Sequence, residues 1–182
     1  MERNLLVAGF GGQGVMMLGT LLAQATCEST DKHVTYFPSY GAEMRGGTAN
    51  CYVVISDDMI GAPMSDYMDD MIIMNDPSLA RFIDRLKSGG VLFINSSIVK
   101  SEIKRDDVAV VRAPVTELSL EMGNPKVINI IMLGVYIGYT EVIPAEIIAK
   151  TIEKKIGAKK PDLVPLNLEA FNKGLEIGKS QR

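Results

Sequence analysis

Short apolar runs alternate with segments of helical periodicity along the first two-thirds of the chain. The run from Leu5 to Ala8 predicts a first strand, and the apolar positions from Val15 to Ala25 recur at helical spacing. Residues 33–37 are rich in β-branched and aromatic types, which is typical of a second strand. Residues 48–56 have the composition of a third strand, and the loop before them is too short for a helical crossover. We therefore predict that this third strand runs antiparallel.

The second half of the pattern predicts another strand, helix and strand, followed by helices. Met71–Met74 reads as a buried strand, and Asp76 is predicted to cap a helix that begins at Pro77 and ends at Gly89-Gly90. Further strands are expected at 91–94 and 108–111, and further helices at 114–122, 127–139, 145–156 and 167–178. The expected fold is a single α/β domain over residues 1–182, with a doubly wound, mostly parallel sheet, a Rossmann-like first βαβ unit and a helical C-terminal third.

A glycine-rich turn separates the first predicted strand from the first helix. Its sequence is Gly9-Phe10-Gly11-Gly12-Gln13-Gly14, with glycines at the first, third and sixth places. That spacing favours a tight turn whose backbone approaches a phosphate at a helix start. The binding candidates here are Gly9, Gly11, Gly12, Gln13 and Gly14, and a purely structural turn is the alternative. No Asp or Glu ends the second strand, which weighs against a nicotinamide dinucleotide.

A second loop follows the second strand and should meet the glycine turn at the carboxyl edge of the sheet. It contributes the candidates Ser39, Tyr40, Gly41, Glu43, Arg45, Gly46 and Gly47, and the strand ends at 75–76 and 95–97 should join them. The planar guanidinium of Arg45 suits a carboxylate or phosphate. The alternative is a surface pair between Glu43 and Arg45, contributing at most about 1 kcal/mol.

The composition excludes several classes of function. The chain has 47% apolar residues, 23% charged residues and a formal net charge of −3, so no nucleic-acid partner is expected. We expect neither a signal peptide nor a membrane-spanning run, and hence a cytoplasmic protein. One histidine and two cysteines, Cys27 and Cys51, cannot form a metal site, and both cysteines are expected to be buried. No nucleophile lies beside a base, so no catalytic residue is predicted.

Three motifs together resemble the gamma subunit of 2-oxoacid:ferredoxin oxidoreductases. They are the glycine turn at 9–14, the segment Ser-Tyr-Gly-Ala-Glu-Met-Arg-Gly-Gly-Thr at 39–48, and Gly-Asn-Pro-Lys-Val-Ile-Asn at 123–129. The resemblance spans nearly the whole chain in the same order.

The resemblance implies a complex that oxidatively decarboxylates a 2-oxoacid to an acyl-coenzyme A and reduces ferredoxin. It implies alpha and beta partners, and a ferredoxin-like delta partner, with thiamine diphosphate, Mg²⁺, iron–sulfur clusters and coenzyme A on or shared with those chains. This chain would line the channel for substrate or coenzyme A, with 2-oxoglutarate favoured over branched-chain 2-oxoacids and pyruvate. A free-standing nucleotide-binding protein or dehydrogenase, and a purely structural scaffold, are the rival hypotheses.

Overall fold

The computed structural model describes residues 1–39 and 48–182. The strands are β1 (Glu2–Phe10), β2 (His33–Ser39), β3 (Thr48–Ser56), β4 (Met68–Ile73), β5 (Leu86–Asn95) and β6 (Ala109–Ala113). The α-helices are α1 (Val15–Ser29), α2 (Asp76–Phe82), α3 (Val115–Glu121), α4 (Ile128–Thr140), α5 (Ala145–Gly157) and α6 (Val164–Ser180). Short 3₁₀ turns span Ile83–Arg85, Pro125–Val127 and Pro161–Leu163.

Among the described residues the strands form one six-stranded sheet in the order β2-β3-β1-β4-β5-β6. The pairings β1–β4, β4–β5 and β5–β6 are parallel, whereas β3 runs antiparallel to both β1 and β2. The predicted antiparallel third strand is therefore confirmed. It lies between the two strands of the first βαβ unit, so β1 and β2 are parallel but do not touch.

Two apolar layers cover the two faces of the sheet, which confirms the doubly wound prediction. Alternate strand residues such as Leu5 and Phe93 pack against α1, α4, α5 and α6. The intervening residues, such as Leu6 and Leu92, pack under α2. This alternation follows from the two-residue period of a strand, which sends successive side chains to opposite faces.

Helix α4 is buried on nearly every side, as its all-round apolar sequence predicts. It packs on the sheet side through Tyr136, whose ring meets Phe93 edge to face at 5.3 Å between centroids. The Tyr136 hydroxyl donates to Asp70 Oδ2 at 3.0 Å, and Arg3 Nη2 donates to Asp70 Oδ1 at 2.9 Å. Arg3 Nε also donates to Asp70 Oδ2. This buried polar cluster joins β1, β4 and α4.

Two predictions about the segment after β4 are wrong. The N-cap of α2 is Asn75, whose Oδ1 accepts from Ser78 N at 2.8 Å, rather than Asp76. The helix also ends at Phe82 instead of reaching Gly89, because Leu86 pairs with Met68 and already belongs to β5. Strand pairing overrides the helical spacing of the apolar residues there.

The C-terminal third consists of α4, α5 and α6, as predicted. Among the helices of the described ranges 1–39 and 48–182, none combines the length and apolar character needed to cross a lipid bilayer.

Candidate functional site

The carboxyl ends of β1, β2 and β4 meet at one edge of the sheet. Ala8 lies opposite both Asn50 and Ile73, and Asn50 lies opposite Ser39. The glycine turn, the end of β2 and the end of β4 are therefore neighbours, as the sequence predicts. We call this part of the molecule the carboxyl edge.

The glycine turn uses its glycines for two different physical reasons. Gly12 and Gly14 have positive φ angles of 95° and 73°, which residues with a Cβ rarely adopt. Gly9 is needed for space, since a Cβ there would lie 2.6 Å from Gln13 Oε1 and 2.7 Å from Met74 Cβ. Gly11, by contrast, is simply exposed beside Gly12. The turn therefore presents bare backbone to solvent.

Gln13 braces this turn from inside. Its Oε1 accepts from Phe10 N at 2.6 Å and its Nε2 donates to Met74 O at 3.1 Å. Its own backbone N–H donates to Phe10 O at 3.2 Å. Both polar atoms of the Gln13 side chain, predicted to bind a ligand, are thus hydrogen-bonded within the chain. Gln13 therefore ties the glycine turn to the ends of β1 and β4.

The start of α1 is open to an anion. Gly14 occupies the N-cap position, and no side chain of the described residues caps the helix. The first N–H groups of an α-helix have no intrahelical partner and attract negative charge. The 15-residue α1 thus places a partial positive charge beside the exposed turn.

Asn129 supports Gly14 and is a residue that the site prediction missed. It donates from Nδ2 to Gly14 O at 3.2 Å, across 115 positions of sequence. A Cβ on Gly14 would lie 2.6 Å from the same amide. The signal was present, because Asn129 is the last residue of the third motif at 123–129.

The structure describes only the two ends of the second loop. Ser39 closes β2 and Thr48 opens β3, where Thr48 Oγ1 accepts from Arg81 Nη1 at 3.2 Å. The predicted binding residues Tyr40, Gly41, Glu43, Arg45, Gly46 and Gly47 lie outside the described residues. Both ends are at the carboxyl edge, so the loop begins and finishes beside the glycine turn.

Buried amides and a hydroxyl lie near the strand ends that form this edge. Asn50, Asn75, Ser78 and Asn95 are all buried, and each has one side-chain atom without a hydrogen-bond partner among the described residues. Asp76 does not join them. It accepts from Ser101 N at 2.9 Å, and hydrogen bonding to Ser101 lowers the pKa of its carboxyl. Neutral polar side chains therefore lie beneath the edge, and the exposed surface of the glycine turn is backbone.

The single histidine and the two cysteines lie away from the edge or are shielded. His33 starts β2 and so stands at the opposite edge of the sheet. Cys51 is buried, and desolvation raises the pKa of its thiol to about 12. Cys27 is exposed, so the prediction that both cysteines are buried is wrong for it. It lies in the last turn of α1, beyond the last buried residue, Thr26.

Comparison with protein-family models gives a match over most of the chain. The family described as pyruvate ferredoxin/flavodoxin oxidoreductase matches residues 4–177. A 2-oxoglutarate synthase subunit KorC from Methanocaldococcus jannaschii is 32% identical over 181 residues, covering 98% of this chain and 95% of that one. A ketoisovalerate oxidoreductase subunit VorA from Methanothermobacter thermautotrophicus is 36% identical over 96% of this chain, which spans only 36% of that relative's length.

Solved structures show the same fold. The gamma subunit of a keto/oxoacid ferredoxin oxidoreductase from Geobacter sulfurreducens has a TM-score of 0.89 and 25% identity, covering 100% of this chain and 98% of that one. A 2-oxoglutarate:ferredoxin oxidoreductase from Magnetococcus marinus, with 2-oxoglutarate, coenzyme A and succinyl-CoA bound, has a TM-score of 0.90 at 23% identity. It covers 100% of this chain and 32% of that one. The resemblance to gamma subunits is thereby confirmed.

Proposed function

Because the chain belongs to the pyruvate ferredoxin/flavodoxin oxidoreductase family, we propose that it is the gamma subunit of a 2-oxoacid:ferredoxin oxidoreductase. The complex decarboxylates a 2-oxoacid oxidatively, transfers the acyl group to coenzyme A and passes the electrons to ferredoxin. Its other chains are alpha and beta subunits and a ferredoxin-like delta subunit. Near-complete mutual coverage with KorC supports this role, since the likeness involves the whole of both chains.

Within that complex, the carboxyl edge lines the channel for coenzyme A or the 2-oxoacid. The observation that favours this is the exposed backbone at Gly11 and Gly12 beside the uncapped start of α1. Such a surface attracts phosphate and carboxylate groups without providing an acid or a base. The chain's part in the reaction is therefore binding and positioning.

The redox centres and thiamine diphosphate belong to the partner chains. An iron–sulfur cluster typically needs four cysteine ligands, and this chain has two. They cannot contribute as a pair, because Cys51 is buried in β3 and Cys27 is exposed on α1. Coenzyme A suits the chain better, since its phosphates match the anion-attracting turn at Gly12 and Gly14. When bound, coenzyme A supplies the thiol that accepts the acyl group.

The preferred substrate is 2-oxoglutarate, because the KorC relatives match over nearly their whole length. A branched-chain 2-oxoacid is the second candidate, since the VorA relative has the higher identity of 36%. Initial rates of the purified complex with 2-oxoglutarate, 2-oxoisovalerate and pyruvate decide between them. The proposal expects the highest kcat/KM with 2-oxoglutarate; a higher value with either of the other two would remove that preference.

The subunit role is tested by omission. The isolated chain should not reduce ferredoxin with a 2-oxoacid and coenzyme A. A complex of this chain with the alpha, beta and delta chains from neighbouring reading frames should do so. Activity of the isolated chain, or a redox-active dinucleotide on it after purification, would instead favour a free-standing dehydrogenase.

The second loop is tested through Arg45. In the assembled complex, Arg45→Ala should raise the apparent KM for coenzyme A or for the 2-oxoacid, since the variant loses a planar cation suited to phosphate or carboxylate. Lys150→Ala removes a charge from an exposed position of α5 and is the control. Unchanged KM values for both substrates would leave only the scaffold role for this loop.

A further inference from the structure

A cavity of about 450 Å³ lies between α1, α4, α5 and α6 and shares Gly14 and Asn129 with the candidate site. Its basic residues are Lys126, Lys155, Lys159 and Lys160. We call this cavity the lysine pocket. Its size is within the range of small-molecule sites.

The charge of the lysine pocket is unbalanced. No acidic residue is among its lining residues in the described part of the chain. Lys155 Nζ donates to Gln24 Oε1 at 3.0 Å, whereas Lys126, Lys159 and Lys160 make no ion pair with a described residue. The chain as a whole has a net charge of −3, so this concentration of cations runs against its overall composition.

Three helix starts add to that positive potential. Helices α1, α4 and α6, of 15, 13 and 17 residues, begin at the wall of the pocket near Gly14, Lys126 and Leu163. Among the described residues no side chain caps α1 or α6, whereas the 3₁₀ turn that leads into α4 is capped by Asn124, whose Oδ1 accepts from Lys126 N at 3.0 Å. Each start contributes about half a positive charge. Helix α5 ends at the pocket, but Lys155 in its last turn opposes the negative end.

The interior of the pocket is suited to more than a bare ion. Met17, Ile130, Ile156 and Leu163 give it an apolar lining. Two lining amides, Asn129 and Asn167, are only 5% and 6% exposed.

Both amides donate from Nδ2 to backbone oxygens, to Gly14 O at 3.2 Å and to Leu163 O at 2.7 Å. Their Oδ1 atoms have no hydrogen-bond donor among the described residues and remain available to a ligand hydroxyl or amine.

We propose that the lysine pocket binds a small organic phosphate with at least two negative charges. The phosphates lie among Lys126, Lys159 and Lys160, and the ring or chain of the ligand rests on the apolar lining beside Met17 and Leu163. A free nucleotide and the phosphoadenosine end of coenzyme A both have this chemistry. Each residue named for this site belongs to the described part of the chain, outside the second loop.

Isothermal titration of the full chain at low salt tests the proposal, with ADP, pyrophosphate and adenosine as probes. ADP should bind, pyrophosphate should bind more weakly, and adenosine should show no measurable heat. Lys159→Ala/Lys160→Ala should weaken ADP binding at least tenfold. Lys104→Ala/Lys150→Ala has the same net charge but removes exposed lysines elsewhere, and it should bind ADP as the unaltered chain does.

Two further probes identify the source of the ligand. If coenzyme A binds more than tenfold more tightly than ADP, the pocket binds the coenzyme A that accepts the acyl group in the proposed reaction. If the two bind equally, the pocket is a site for a free nucleotide. Three results would overturn the proposal. They are the absence of heat with both ADP and coenzyme A, an equal loss of affinity for ADP in the two double variants, and tighter binding of a glutamate-rich peptide than of ADP.

Discussion

The contact between α4 and α6 depends on glycines that allow two backbones to meet. Gly134 and Gly138 on α4 face Gly174 and Gly178 on α6. A Cβ at Gly174 would lie 2.9 Å from the carbonyl carbon of Ile131 and nearer still to its oxygen. This contact matters for the site, because α4 also holds Asn129 against Gly14.

Gly174→Ala should therefore destabilise the fold although it improves helix propensity. The obstructing atoms belong to the backbone of α4 and cannot turn aside, so the helices must separate. Overpacking of this kind costs about 1–3 kcal/mol, and we expect the upper end because the neighbour is backbone. The higher helix propensity of alanine over glycine offsets roughly 1 kcal/mol of this loss. The expected net loss is about 2 kcal/mol, equivalent to a fall in Tm of roughly 4–8 °C for a chain of this size.

Urea unfolding followed by circular dichroism measures the change. Gly157→Ala is the matched control, since it also adds a methyl group to a helical glycine but its Cβ would lie 3.6 Å from Val164 Cγ2, an ordinary contact. That variant should be neutral or more stable by about 0.5 kcal/mol. A Gly174→Ala protein as stable as the Gly157→Ala protein would refute the close backbone packing.

Three other variants or measurements check the fold around the site. Gly14→Ala should destabilise by about 2 kcal/mol in urea, because of its positive φ and its contact with Asn129, and a neutral result would contradict that geometry. Arg3→Met should cost about 3 kcal/mol by leaving Asp70 buried without its cation. Burial raises the pKa of Asp70, so this variant should lose stability as the pH rises above about 4, the pKa of an aspartate in the unfolded chain; a pH-independent loss would refute the unpaired carboxylate. Thiol labelling of the native chain should modify one cysteine rapidly and spare Cys51, whose thiol has a pKa of about 12.

Local sequence patterns predicted the bounds of an element well where the apolar residues of a segment follow a single strand or helix spacing. The third strand has the predicted bounds of residues 48–56, and α4 is displaced by only one residue from its predicted range. Predictions failed where pairing with a distant segment decides the structure. Leu86 has helical spacing from Phe82 yet joins β5, because β4 offers it a partner.

The candidate site was predictable in its backbone and less so in its side chains. Positive φ angles at Gly12 and Gly14 follow from glycine chemistry and local sequence. Two features depend on how α4, α5 and α6 pack: the contact of Asn129 with Gly14, and the proximity of four lysines in the lysine pocket. The spacing of apolar residues along the sequence does not specify that packing. The capping of α2 by Asn75 rather than Asp76 is a one-residue error of the kind common at helix ends.

The most direct measurement is the apparent KM for coenzyme A of the assembled complex containing Gly12→Ala. Among the described residues the added methyl group would meet nothing within 4 Å, so beyond the strain of its positive φ, which the control shares, it obstructs a ligand that approaches the turn. Gly89→Ala is the control, because Gly89 also has a positive φ and open space but lies in the first half of β5, away from the carboxyl edge.

If the carboxyl edge lines the coenzyme A channel, the KM should rise at least tenfold in Gly12→Ala and remain unchanged in Gly89→Ala. An equal KM for coenzyme A in the two complexes would contradict a channel at this edge.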